Sequence, residues 1–301
     1  MTLSHKQKEK LLPVPADHQR LNIILFQLTE TKEKMTKDNK VYYDEEKDKL
    51  TIKQYYRSID FVNDKNVIQS LTHLLQETHT NKVRYNPSEF VYPWVDLRPD
   101  GNLISIYSGK SRQAEEVIQE DYATSIKRQE EMKRIAAEDD NQLKRIEIDF
   151  KFNCEHSVPQ SWFNEQEPMR GDLHHLFTCE PVCNSIRSNY PYHDFADYNP
   201  ERMNTKRIEE SCGKADTGLF EPEYGKGSVA RAVLYFLLRY PNEIEHQHKD
   251  KVDIDLLLKW HRDFLPDLYE KHRNQAIYEI QGNRNPYIDF PWKMNQIAKI
   301  Q

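Results

Sequence analysis

Glu155 and His156 stand side by side in the run "NCEHSVPQSW", Asn153 to Trp162, at the end of an apolar stretch. An acid beside an imidazole has two readings. One is a surface or strand-end contact, the ordinary fate of such a dipeptide taken alone. The other is a metal ligand next to a general base. Hydrolysis of a phosphodiester by water needs that second arrangement: a base to take a proton from water, a cation to neutralise charge on the phosphate and leaving oxygen, and groups that orient both. A neutral histidine, with an ordinary pKa of about 6.5, suits the first task. Mg2+ prefers hard oxygen ligands and often takes only one or two from protein. Glu155 offers one such oxygen and Asn184 another.

The elements around them must bring these residues together. Ile146, Ile148, Phe150 and Phe152 alternate with Glu147, Asp149 and Lys151. That pattern predicts a half-buried strand delivering Glu155 and His156 at its end. Neighbours on an ideal strand face opposite sides, so both can serve one site only where the strand ends or twists. Pro159 agrees with an ending. Further on, Pro181 suits the first turn of a helix. Asn184 and Arg187, three apart, then occupy neighbouring helix surface, and Asn189 and Pro191 close the helix.

The rest of the chain reads as a mainly helical α+β single domain. Residues 1–40 predict a helical N-terminal extension, and 41–301 the main domain. "VYYDEEKDKLTIKQYY" suggests two short extended pieces around a polar turn. "NVIQSLTHLLQETH" has its apolar residues three and four apart, as in an amphipathic helix, and "NLISIYS" reads as a strand. Residues 111–145 have helix formers and alternating charge, which predicts one or two long helices with a solvated surface. Residues 192–227 look irregular; "SVARAVLYFLLRY", "VDIDLLLKWHRDF" and "DLYEKHRNQAIYEIQ" look helical.

The 301 residues carry a net charge of -6. That disfavours a protein coating nucleic acid through many phosphates, though not an enzyme touching a few. No apolar stretch is long enough to span a membrane. Cys154, Cys179, Cys183 and Cys212 are too few and too unevenly spaced for a disulfide scaffold. No secretory signal is recognisable, so a cytoplasmic chain with reduced thiols is expected, or a secreted one if a leader is missing. Cys179 and Cys183 are spaced like half of a structural zinc site, but no second pair completes it.

"EHSVPQSWF", "PMRGDLHHL", "CNSIRSNYPY", "SVARAVLYFLLRY", "LLLKWHRDFLPDLYEKHRN" and "YEIQGNRNPYIDFP" together resemble the bacterial endonuclease I family, nearest its secreted Bacillus ribonuclease branch. The resemblance runs from Ile148 to Pro291, more loosely from Tyr55 to Tyr107, and not over the first fifty residues. It implies a ββα-metal (His-Me finger) core at about residues 145–191. It further implies His156 as general base, and Glu155 and Asn184 as ligands of Mg2+, with Mn2+ or Ca2+ as substitutes. Asp172 and His174 match a pair that supports the site. Since His174 and His175 are adjacent, at most one is expected to face it. Arg187 falls in a run where support and phosphate contact are both open, and Arg170 is a second arginine candidate. Asn283, Arg284 and Asn285 match a motif read first as structural. The implied activity is endonucleolytic cleavage of DNA and/or RNA with little sequence specificity, leaving 5′-phosphate and 3′-hydroxyl ends. Residues 111–145 look like an insertion in this family.

Two other functions compete. A catalytically silent nucleic-acid-binding or regulatory protein on the same fold is one, motivated by the expected cytosolic location. A zinc-stapled interaction module is the other. A protein inhibitor enters as a candidate partner, because an unrestrained nuclease endangers its own cell.

Overall fold

The computed structural model describes residues 11–134, 140–198 and 212–297. Helix α1 (His18–Lys37) begins where the Asp17 carboxylate accepts from the amides of Gln19 and Arg20. It buries Ile24, Leu28 and Met35 in a core shared with Tyr92, Val95, Val117 and Ile118. Helix α2 (Glu45–Tyr55) replaces the two extended pieces expected there. Asp44 caps it, and Glu45, Glu46 and Asp48 fill its first turn, where the helix dipole favours acids. Helix α3 (Val67–Thr78) has the expected amphipathic form, with Val67, Leu71 and Leu75 inside.

Strands β1 (Asn102–Ile104) and β2 (Ser111–Gln113) pair antiparallel and lead into α4 (Ala114–Arg134). Helix α5 (Asp140–Asp149) corrects the strand expected at residues 146–152. Leu143, Ile146 and Phe150 form one small cluster with Leu11, a helical spacing, while Ile148 is exposed. The alternation was coincidental there, and the strand proper starts only at Cys154.

Strand β3 (Cys154–His156) pairs antiparallel with β4 (Leu176–Thr178), and helix α6 (Pro181–Arg187) follows. This strand–strand–helix unit lies between the two large cores. Cys154 and Leu176 belong to the core of α1 and α4, whereas Val158, Phe177 and Cys183 belong to the other. Strands β5 (Gly213–Asp216) and β6 (Leu219–Pro222) form a hairpin in the region expected to be irregular. The helices α7 (Lys226–Arg239), α8 (Ile254–Asp263) and α9 (Leu268–Gln281) run as read from the sequence. Two short helices, α10 (Pro286–Asp289) and α11 (Pro291–Ile297), end the described chain. The whole is mainly helical with small antiparallel sheets, an α+β architecture. Among the described residues, no helix is long and apolar enough to cross a membrane.

The thiol expectation fails. Cys183 and Cys212 form a disulfide across 29 residues, with Cα atoms 5.2 Å apart. Cys183 is therefore withdrawn from any pairing with Cys179 on zinc. Cys154 and Cys179 are free and buried.

Candidate active site

Strand β3 ends at His156, and its two candidate side chains meet different partners. Glu155 enters a polar pocket, only 2% exposed. Its Oε1 accepts from the Tyr107 hydroxyl at 2.8 Å and pairs with Arg187 Nη1 at 3.0 Å. The Tyr107 and Tyr192 hydroxyls lie 2.8 Å apart. Burial holds the Glu155 carboxyl above its ordinary range, with Arg187 and the Tyr107 hydroxyl offsetting part of the rise.

His156 is 4% exposed and has its own set of neighbours. Its ring centroid is 4.7 Å from that of Tyr85 and 5.3 Å from that of His175. Nε2 lies 2.9 Å from the Arg170 carbonyl. A carbonyl only accepts, so Nε2 carries the proton and donates it. In the neutral ring the lone pair then sits on Nδ1. Burial holds the His156 pKa well below the usual imidazole range, with His175 and the charges of Arg170 and Arg187 adding to the effect. The ring is therefore in its base-competent, uncharged form at neutral pH.

Helix α6 closes the arrangement. Asn184 Nδ2 donates to the Cys154 carbonyl at 2.8 Å, tying the helix to β3. Its Oδ1 accepts no hydrogen bond from the described residues. Arg187, one helical turn on, is 1% exposed. Besides Glu155, it donates to the Ser157 carbonyl at 2.6 Å and the His156 carbonyl at 3.3 Å. Of the two readings open for Arg187, the geometry gives it an internal ion pair and a clamp on the end of β3.

These donors fit a hard divalent cation better than zinc. Glu155 supplies carboxylate oxygen and Asn184 an unengaged amide oxygen, a sparse oxygen set of the kind Mg2+ accepts. Among the described residues, no three His, Cys, Asp or Glu side chains gather into a closed cage.

Asp172 and His174 lie elsewhere. Asp172 is fully buried and accepts from Tyr235, Tyr240, Gln281 and the His174 amide, at 2.8, 2.9, 3.1 and 3.0 Å. Burial pushes its carboxyl up, but the imidazoles of His79, His174 and His175 and the Gln281 amide more than reverse this and hold it ionised. The His174 ring packs 4.2 Å from Tyr235 and meets the Asn283 carbonyl at 3.3 Å. His175 is the member of the pair that stands beside His156. Asn283, Arg284 and Asn285 are buried scaffold: Arg284 pairs with Asp48 of α2 at 2.9 Å and Asp289 of α10 at 2.8 Å.

Sequence reading missed Tyr107 and Tyr85 as neighbours of the site, and of the His174–His175 pair it took His174 as the site candidate where His175 is the ring beside His156. Tyr107 sits just past the strand "NLI", and nothing in its local pattern points at Glu155. Arg170 does border the site. Its Nε donates to Gln160 at 2.8 Å, its guanidinium lies 5.2 Å from the Tyr85 ring, and its carbonyl holds His156.

Comparison with known proteins adds a decisive observation: residues 63–292 match the profile of the endonuclease I family. The chain belongs to that family. A periplasmic deoxyribonuclease of Aeromonas hydrophila is 29% identical over 126 residues, covering 42% of this chain and 50% of that protein. An extracellular ribonuclease of Bacillus amyloliquefaciens is 31% identical over 133 residues, 40% of this chain and 44% of that protein. The endonuclease-1 of Buchnera aphidicola subsp. Baizongia pistaciae is 30% identical over 150 residues, 49% and 55% respectively. The chain thus spans about half the length of the curated relatives it matches. The expected cytoplasmic location is overturned: these endonuclease I relatives include periplasmic and extracellular proteins, and the Cys183–Cys212 disulfide belongs to an oxidising compartment.

Proposed function

We propose that this endonuclease I family member is a secreted, metal-dependent endonuclease that hydrolyses phosphodiester bonds of DNA and/or RNA with little sequence specificity. The observation that carries the chemistry is the fixed His156 tautomer: Nε2 is committed to the Arg170 carbonyl, and Nδ1 is left as a lone-pair base. Nδ1 takes a proton from water as the water attacks phosphorus in line. Glu155 and Asn184 would hold a divalent cation of the Mg2+ type, which when bound would neutralise negative charge at the phosphate. Arg187 favours the ionised form of Glu155 and fixes the end of β3. Asp172 and His174 position the loop behind the site. No side chain forms a covalent intermediate, solvent returns a proton to the leaving 3′ oxygen, and the products carry 5′-phosphate and 3′-hydroxyl ends.

One observation favours the silent-protein reading, namely the enclosure of both Glu155 and His156. A single assay separates the two. The purified chain is incubated with single- and double-stranded DNA and RNA, with Mg2+, with Mn2+, and with a chelator. Cleavage that chelation stops and Mg2+ or Mn2+ restores supports the nuclease. Binding without cleavage under every metal condition supports the silent protein.

A further inference from the structure

A cavity of about 1130 Å³ lies beside the residues that pack on His156. Tyr85 and Arg170 line it, and the same two residues enclose the His156 ring. Its other walls come from Lys82 and Arg84, from the 161–168 loop with its Glu165 and Glu167 carboxylates, and from Leu12 and Pro13. Residues 82–85 alternate, with Lys82 and Arg84 outward and Val83 and Tyr85 inward. Gly171 packs directly against the Val83 backbone, where any side chain would collide, so the 82–85 segment and the Arg170 turn are fixed to each other.

The Leu12–Pro13 wall is held by a dedicated set of contacts. Leu11 packs on Leu143 and Ile146 of α5. Its carbonyl accepts from Arg128 Nη1 at 2.9 Å, and the Val14 carbonyl accepts from Ser125 Oγ at 2.7 Å. Ser125 and Arg128 are buried on α4. The same helix also carries Asp121, which accepts from the Asn153 amide at 2.9 Å, at the entry to β3. Residues 11–14 fall outside the family match, which begins at residue 63. A strap from outside the matched region is therefore anchored on α4 and α5, and it walls one side of the space next to the catalytic candidate.

We propose that this strap sets substrate form: it narrows the approach to His156 to a chamber that admits a single nucleic-acid strand and excludes duplex. The inference rests on the nuclease reading above. A single strand bends within a few nucleotides and is held by basic side chains along a groove, here Lys82, Arg84 and Arg170, which outnumber Glu165 and Glu167 in the lining. A duplex is stiff over about 150 base pairs and cannot fold its backbone into a recess of this size. The strap acts on positioning and specificity and takes no part in bond cleavage.

The test uses the full chain carrying His156→Ala, with Mg2+ present, and reads binding of a labelled 12-nucleotide single strand and of the matching duplex by fluorescence anisotropy. The single strand is expected to bind about tenfold or more tighter than the duplex. Deleting residues 1–16 in that background should raise duplex binding and bring the ratio close to one, with single-strand binding little changed. Leu11→Ser is the second variant. Leu11 sits in a small cluster apart from both large cores, so this change loosens the strap without dismantling the fold. It should move the ratio the same way. Equal binding of both forms by the parent chain, binding of neither, or a ratio unmoved in folded strap variants would overturn the inference. Because binding needs no turnover, failure of the wild-type chain to cut any substrate would sink the nuclease reading separately.

Discussion

Two buried polar regions contain the motif residues, and they differ in how fully their hydrogen bonds are satisfied. Around Asp172, two tyrosine hydroxyls, a glutamine amide and a backbone amide converge on one carboxylate. Around β3, the Asn184 amide has one end fixed and one open, and the His156 ring has one nitrogen fixed and a lone pair on the other. A saturated network locks chain segments together. A network with hard oxygen and nitrogen acceptors left over can bind and react. Burial alone does not separate these regions, since Asp172, Glu155 and His156 are all buried.

The contrast can be broken from the scaffold side first. Asp172→Ala strands several buried donors and should cost about 3–5 kcal/mol. Any loss of activity should then track the unfolded fraction in chemical denaturation. Cleavage lost while the variant stays as stable as the parent would move Asp172 into the chemistry. Arg284→Met leaves Asp48 and Asp289 unpaired inside the protein, so a cost of about 3–5 kcal/mol is expected there too. A fully stable variant would show that the α2–α10 tie is dispensable.

One source of acid sensitivity should be the buried His261 of the helical scaffold. Burial lowers the His261 pKa to about 4; the Pro291 carbonyl, 2.9 Å from Nε2, opposes this, and Arg231 adds to it. The unfolded chain therefore binds more protons than the folded one between pH 6.5 and 4. Stability from this group is complete above about pH 6.5 and falls away as pH drops to about 4, by about 3 kcal/mol. His261→Gln should flatten that part of the stability–pH curve, measured by denaturant midpoints at pH 7 and pH 4.5. An unchanged slope would remove His261 as a source.

The smallest expected effect sharpens the site. Arg187→Lys keeps the charge but loses the fork that grips Glu155 and the Ser157 and His156 carbonyls together. A stability loss of about 1–3 kcal/mol is expected from the broken charged hydrogen bonds. Cleavage should fall in the part of the population that remains folded, because the end of β3 is no longer clamped. Full activity with normal stability would make Arg187 a bystander.

Much of this was legible in the sequence. Pro181 announces α6, and three-residue spacing puts Asn184 and Arg187 on one side of it. The amphipathic spacing in α3 and the apolar runs of α7 and α8 also held. At residues 146–152, alternating and helical spacings overlap, and packing on Leu11 chose the helix. The β5–β6 hairpin has a usable signal: Thr217 and Gly218 both adopt positive φ, 50° and 80°, as a tight two-residue turn requires, and "DTGL" could have marked it. The Cys183–Cys212 pairing was not readable, because spacing cannot choose among the pairings that four cysteines allow. The contacts of Glu155 with Tyr107 and of His156 with Tyr85 arise from chain segments far apart in sequence, and no local pattern encodes them.

The most direct measurement compares single-turnover cleavage by the wild-type chain and by His156→Ala in Mg2+, with melting curves of both. The ring's one polar bond is to the Arg170 carbonyl, so the variant should stay folded while its rate falls about 10²–10⁴-fold. A folded His156→Ala protein that cuts as fast as wild type would contradict a histidine base, and with it the chemistry assigned to β3 and α6.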